Sequence, residues 1–184
     1  MKTAIELQPT LIGKNILLRP LVANDFDELY KAASDPLVWE QHPDPLRYTK
    51  DVFTKNFFEG AIASKSAFAV VALPSQEIFG SSRYYSQHPI WQAQDDELAI
   101  GYTFLIRRHW GGATNGELKQ LMLDHAFRWV KRVWFHIGEH NIRSRRAIEK
   151  IGGVYSHSEN MVVNDISHKT ACYFINRPVL PADQ

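Results

Sequence analysis

Residues 96–129 pass from one hydrophobic period to another across a short break, and that transition limits the fold more than any other feature of the chain. In DELAIGYTFLI (96–106), Leu98, Ile100, Tyr102, Phe104 and Ile106 alternate along one face of an expected strand. RRHWGGATNG follows, and then ELKQLMLDHAFRWV, where Leu118, Leu121, Met122, His125, Ala126 and Trp129 fall at i, i+3, i+4, i+7, i+8 and i+11. This helix is expected to end near Arg132, before the β-branched and aromatic run VWFHI (133–137). A strand that enters a helix through a glycine turn and leaves it for another strand belongs to an α/β architecture.

The rest of the chain fits that class. NILLR (15–19) reads as a strand closed by Pro20, and Asn24 is placed to cap a helix that stops near Ser34. A Pro-punctuated loop around Trp39 and His42 leads to a second helix over 49–64, with Val52, Phe53 and Phe57 on one side. Residues 67–73 and 77–85 flank PSQ and form an expected hairpin. Asn141 to Ile151 reads as a shorter helix with Gly152 as its C-terminal cap, and strands around 153–158 and 170–175 close the chain. No repeat, low-complexity tract or linker divides the sequence, so a single domain over 1–184 is expected.

Composition narrows the classes of function. Hydrophobic residues at 45% supply a real core, and a formal net charge of +1 gives no global field to recruit nucleic acid or an anionic membrane. Any anion binding must come from a local cluster. The lone Cys172 excludes an internal disulfide and a cysteine-based metal site, which makes a reducing cytoplasm the default compartment. Glu6 and Pro9 interrupt the N-terminal stretch MKTAIELQPTLIG, so it does not read as a signal peptide, and no apolar run reaches the length of a membrane span.

The break itself holds a local cluster. Arg107 and Arg108 precede Gly111 and Gly112, immediately before a helix whose first backbone N–H groups lack intrahelical partners. Such donors, the helix dipole and the absence of a Cβ favour an approaching phosphate. A plain tight turn with solvated arginines satisfies this segment equally well when it is taken alone. A Walker loop is excluded because Gly116 is followed by Glu117, and GGATNG lacks the spacing of a dinucleotide-binding fingerprint.

A second constellation lies in EHNIRSRRAIEKIG (139–152). Ser144, Ala147, Ile148 and Ile151 share one helix face, which directs a hydroxyl toward the apolar side. A core serine bonded back to a carbonyl and a hydroxyl aimed into a buried site both fit that position.

Together these stretches resemble the GNAT acetyltransferase superfamily. Arg108-x-x-Gly111-x-Ala113 is similar to its Q/R-x-x-G-x-G/A pyrophosphate loop, and WGGATNGE to the form used by its ribosomal-protein N-acetyltransferase branch. Asn141-x-x-Ser144 followed by Glu149-Lys150-Ile151-Gly152 resembles that branch's N-x-x-S-x-x-x-x-E-K-x-G segment. NILLRPL and the strand containing Ile100-Gly101-Tyr102 fit as well, and the match runs over about 14–176.

The resemblance implies a central, mixed, mostly antiparallel twisted sheet of about seven strands flanked by about four helices. It also implies acetyl-CoA as cosubstrate and a primary amine as acceptor, either on a small molecule or at a protein N-terminus, with no metal. Backbone at Phe104, Leu105 and Ile106 would polarise the thioester and pair with pantetheine. Arg108, Trp110, Gly111, Gly112, Ala113 and Thr114 would hold the pyrophosphate. Asn141 would hold the pantetheine arm, Lys150 joins the cofactor-binding set, and Ser144 would assist the departing thiolate. Many relatives carry Glu directly before Ile-Gly-Tyr; here that position is Ala99, and Glu97, on the same expected face, becomes the candidate base. Trp39, His42 and Tyr84, with Tyr85 and Trp91, lie in segments expected to line the acceptor side. A homodimer stays open.

Two rival readings remain. HIGEH (136–140) matches the H-x-x-E-H pattern of inverted zinc peptidases, but that chemistry needs a continuous helix where the sequence reads as strand and turn. A non-catalytic acyl-CoA-binding module would keep the loop without the reaction. His125, on the apolar face of the long helix, is expected to be a bonded core residue.

Overall fold

The computed structural model describes residues 5–163 and 165–179, so both ends of the expected 1–184 domain, and the first residues of the N-terminal stretch discussed above, lie outside it. In chain order the strands are β1 (Leu11–Ile12), β2 (Ile16–Pro20), β3 (Ala67–Ala72), β4 (Ile78–Tyr85), β5 (Gln87–His88), β6 (Trp91–Gln92), β7 (Glu97–Leu105), β8 (Arg132–Gly138), β9 (Val154–Val163) and β10 (Ile166–Asn176). The helices are α1 (Phe26–Ala33), α2 (50–63), α3 (Thr114–Ala126) and α4 (Ile142–Lys150). None of the described helices is long and apolar enough to cross a membrane.

Eight strands form one sheet in the order β1-β2-β3-β4-β7-β8-β10-β9, and β5 pairs with β6 in a small separate hairpin. Every neighbouring pair in the large sheet is antiparallel except β7 and β8, which flank the α3 crossover. The expected mixed, mostly antiparallel sheet with about four helices is therefore what the chain forms, with one strand more than the sequence suggested.

Each face of the sheet has its own core. Leu118, Met122, Leu123 and Ala126 of α3 pack with Leu18, Phe79, Leu98 and Phe135. On the opposite face Leu29 and Ala33 of α1 meet Phe53, Phe57 and Phe58 of α2. A π-helical turn at Thr54–Phe58 widens α2 and turns consecutive Phe57 and Phe58 both inward.

The expectation that Leu98, Ile100, Tyr102, Phe104 and Ile106 share one face fails halfway along β7. Leu98 and Ile100 enter the α3-side core, but Phe104 enters the other and Leu105 takes the α3 side. Gly101 pairs with Arg83 and Phe104 with Ser81, so two residues of β7 oppose Ser82 alone, and Tyr102 adopts φ +51°. That one-residue bulge inverts the in-out parity of everything after it. Gly80 lies across from this point, where a Cβ would meet the Phe104 carbonyl oxygen at 2.2 Å.

Asn24 does not cap α1. Residues Ala23–Asp25 form a 3-10 turn, and the Asp25 carboxylate takes the capping bond from the Val22 N–H and a two-pronged bond from Arg19. Arg19 holds the Asp25 carboxyl below its usual range against the opposing effect of burial.

Candidate active site

The single parallel ladder is short, and the site follows from that. β7 and β8 pair only at Glu97–Arg132, Leu98–Val133 and Ala99–Trp134. Past Ala99 the strands diverge, leaving that edge of β7 without a strand partner. The gap is a cavity of about 420 Å³, walled by β7 and β8, the start of α3, one face of α4 and the loops above them.

One end is built by the stretch between β7 and α3. Arg107–His109 make a 3-10 turn, and the Trp110 indole Nε1 donates to the Leu105 carbonyl at 2.8 Å, folding the loop back on its own strand. His109 stacks on Phe79 at 4.1 Å between ring centres. The Arg143 guanidinium lies 3.6 Å from the centre of the Trp110 ring, tying α4 to this loop. Gly111 has φ +71°, which glycine adopts at no steric cost, and the space where its Cβ would stand is open. Thirteen-residue α3 begins with Ala113 at its N-cap and no side-chain cap, so its first N–H groups remain available to an anion.

From the opposite side, Asn141 caps α4 by accepting from the Ser144 N–H at 3.1 Å. Ser144, Ala147 and Ile148 follow on the face that lines the cavity. Phe104, Leu105, Trp110, Gly111, Asn141 and Ser144 thus meet around one end. Gly112, Ala113 and Thr114 continue the loop outward and do not line the wall, nor does Ile106, half-buried between the two cores. Arg108 is exposed and ion-paired with Glu77, and Lys150 points off the far end of α4 into solvent. The structure brings neither to the cavity.

Sequence reasoning missed Lys119. It lies one helical turn after Asn115, on the flank of the α3 apolar face, and both line the cavity. Its Nζ donates to Thr103 Oγ1 at 2.6 Å, and Thr103 shares a 2.7 Å hydrogen bond with Ser82. Burial drives the ammonium down to about 7. The i, i+4 spacing of Asn115 and Lys119 was visible in the sequence; that the strand opposite them opens was not.

At the other end, the β5–β6 hairpin folds over the face of β8 and β10. Tyr85 donates to or accepts from His136 Nδ1 at 2.8 Å, and His136 stacks on His88 at 4.8 Å. Trp91 packs against Tyr85, Trp134 and His136. Trp39 and His42 also line the cavity; the Trp39 indole donates to the Ala33 carbonyl at 2.7 Å, and His42 accepts from the Asp44 N–H at 2.9 Å. Burial lowers His42 to about 3, His136 to about 3 and His88 to about 4, which keeps all three imidazoles neutral at pH 7.

Two expected residues fall elsewhere. Tyr84 is fully buried in the α3-side core, its hydroxyl donating to the Met122 carbonyl at 2.6 Å; strand parity sends its neighbour Tyr85 to the cavity instead. Glu97 sits in the part of β7 still paired with β8, faces Arg132 at 3.8 Å and accepts from the Gln94 N–H. It belongs to a separate shallow depression with Lys131 and Arg132. No Asp or Glu lines the main cavity among the described residues.

His136 to Gly138 of HIGEH lie in β8 and the following residues in a turn, so the helix that a zinc peptidase motif requires does not form. His125 is buried, with Nε2 2.7 Å from the Glu6 carbonyl oxygen.

Comparison with known proteins adds a family to this geometry. The family described as "Acetyltransferase (GNAT) domain" matches residues 15–154. No curated protein matches the chain. Among solved structures, a GCN5-related N-acetyltransferase from Brucella melitensis aligns with a TM-score of 0.79 at 21% identity, covering 96% of this chain and 80% of that one. A probable acetyltransferase from Chromobacterium violaceum aligns at 0.78 and 22% identity, covering 94% and 87%. The microcin C7 self-immunity acetyltransferase MccE, solved with acetyl-CoA and AMP, aligns at 0.74 and 14% identity, covering 94% and 99%.

Proposed function

The chain belongs to the GNAT acetyltransferase family, whose reaction is acetyl transfer from acetyl-CoA, and from that premise we propose that it acetylates the α-amine of its acceptor. The observation that carries this reading is the cavity wall, which among the described residues offers no carboxylate to deprotonate a strongly basic amine. An α-amine, with a pKa near 7.7–8.0, is substantially neutral at physiological pH, whereas a lysine-like amine near 10.4 is not. Its resemblance to the ribosomal-protein N-acetyltransferase branch supports the same acceptor class.

The residues present fit acetyl-CoA. The uncapped N-terminus of α3, the open space at Gly111 and the guanidinium of Arg108 suit the pyrophosphate; the Arg108 side chain would leave Glu77 to reach it. The unpaired edge of β7 at Phe104 and Leu105 suits the amides of pantetheine, with Asn141 beside it. The thioester supplies an acetyl group on a thiol that leaves readily. Backbone N–H groups along the β7 edge orient and polarise the carbonyl. Ser144 hydrogen-bonds the departing sulfur. The aromatic wall of Trp39, Tyr85 and Tyr102 excludes water from the amine. The proton lost from the amine passes out to solvent, since Glu97 is outside the cavity and burial leaves the wall imidazoles, at about 3 to 4, too weak to take it. The donor of acetyl groups and the lone buried Cys172 suit a cytoplasmic setting.

Isothermal calorimetry with acetyl-CoA and with ATP tests the donor site: binding of acetyl-CoA alone is expected, and equal affinity for both, or for neither, overturns it. An acceptor screen that reads release of free thiol tests the rest. Turnover of amines with lysine-like basicity, and none of α-amines, would refute the α-amine reading.

A further inference from the structure

Three side chains that line the acceptor end of the cavity each carry a buried polar atom with no hydrogen-bond partner: His136 Nε2, His88 Nδ1 and Thr170 Oγ1. Thr170 is 1% exposed, so water outside the cavity does not serve it. These atoms are brought together by the sheet. Thr170 pairs with Gly138 and Cys172 with His136, which sets Thr170 and His136 on one face, and the β5–β6 hairpin lays His88 over that face. Unpaired buried polar groups cost about 1–3 kcal/mol each, which marks them as contacts for something that enters.

The chemistry of that visitor follows from what the atoms can donate. In the tautomer where the Tyr85 phenol donates to Nδ1 of His136, the one imidazole proton sits on Nε2 as a donor. The Thr170 hydroxyl is a second donor. An ammonium group brings only donors: it could serve the hydroxyl, which also accepts, but not the imidazole N–H, whereas a carboxylate accepts from both. The charged side chains on the wall point the same way: Arg47 and Arg143 are cations, Lys119 is half-protonated near pH 7, and no Asp or Glu accompanies them among the described residues. Arg47 is partnered by Asp44 behind it and Arg143 by Glu40 at 3.8 Å, but Lys119 has only a hydroxyl partner.

We propose that the acceptor is a small amine carrying a carboxylate close to the amine, an α-amino acid rather than a polyamine, with its carboxylate held by His136, Thr170 and His88. This rests on the α-amine reading above and specifies its substrate class. The aromatic rings of Tyr85 and Trp91 beside the polar atoms suit an apolar side chain on that amino acid.

The test uses matched series on one side chain: phenylalanine, phenylalaninamide and phenethylamine, then leucine, leucinamide and isoamylamine, with spermidine and a tripeptide amide alongside. Thiol release from acetyl-CoA is expected to favour the free acids by about tenfold or more in kcat/KM, because the analogues leave the buried donors unpaired. His136→Phe keeps the stacked ring and Thr170→Val keeps the shape; each is expected to raise KM for the acid and to shrink the preference for phenylalanine over phenethylamine. Phenethylamine, spermidine or the tripeptide amide equalling the acids overturns this inference while acetyl transfer stands. Release from no amine refutes the transferase reading instead. Calorimetry then decides the inference alone: binding of phenylalanine but not phenethylamine supports it, and any other result overturns it.

Discussion

The proposed donor end of the cavity is made from two contiguous stretches, 104–119 and 141–148, whereas the proposed acceptor end gathers Trp39, His42, Tyr85, His88, His136 and Thr170 from most of the length of the chain. The first offers chiefly backbone: an uncapped helix, a glycine with positive φ and an unpaired strand edge. The second offers side chains whose positions depend on sheet parity and on one small hairpin. Backbone sites need little beyond glycines and correct order, so many sequences can supply them. Side-chain sites change with every substitution, and the specificity of an enzyme is placed where change is easiest.

The two ends also respond to pH in different windows, and that contrast gives the largest expected effect. The folded pKa of Lys119 is depressed to about 7, below its unfolded value, so between about pH 7 and 10.5 the unfolded chain binds more protons. Stability contributed at the donor end therefore rises through that window and is penalised below it. Lys119→Met is expected to be more stable than the parent at pH 6 by roughly 3–5 kcal/mol, with the advantage closing by pH 10. Thermal unfolding at the two pH values checks this; a constant difference would refute the depressed pKa. At the acceptor end, His42, His88 and His136 are depressed to between about 3 and about 4, so their loss of stability occurs as pH falls below 6.5. His88→Phe is expected to flatten the acid limb and leave the alkaline one alone.

A smaller effect separates chemistry from binding within the donor end. Ser144→Ala is expected to lower the single-turnover rate by up to ~10²-fold while the Kd for acetyl-CoA hardly moves, since a thiol is already a fair leaving group. An unchanged rate with chemistry limiting would reduce Ser144 to a packing residue. Arg108→Ala is expected to do the reverse, weakening acetyl-CoA binding by roughly 1–3 kcal/mol and sparing the rate of bound complex. Because Arg108 rests on Glu77 in the free protein, Glu77→Gln should tighten binding by no more than about 1 kcal/mol. Calorimetry on both variants tells whether the arginine moves.

The difference between the ends also explains what the sequence disclosed. The α3 helix, the Asn141 cap and the Gly152 turn were legible because each depends on neighbours in the chain. Ser144 could be placed on one face with Ala147 and Ile148 from helical spacing alone, while Asn141 joined it only through the family resemblance. The inward turn of Phe104 could not, because it depends on a bulge set by pairing with Ser82 on another strand. Glu97 looked like a base for a related reason: parity put it on the right face, but only the three-pair ladder shows that the strands have not yet parted there. Tyr84 and Tyr85 were separated by the same unreadable choice of face.

That three-pair ladder has a mechanical meaning as well. It is the narrow seam joining two antiparallel blocks, β2 to β7 and β8 to β10, each stitched along longer ladders of five to nine pairs. A ligand that lies along the unpaired edge of β7 acts as a splint across this seam. A splint present at a hundred times its dissociation constant adds about 2.7 kcal/mol to the resistance against unfolding. The protein's grip on its ligand and its resistance to coming apart are then one quantity, and a cell short of that ligand would hold this enzyme in its weakest form.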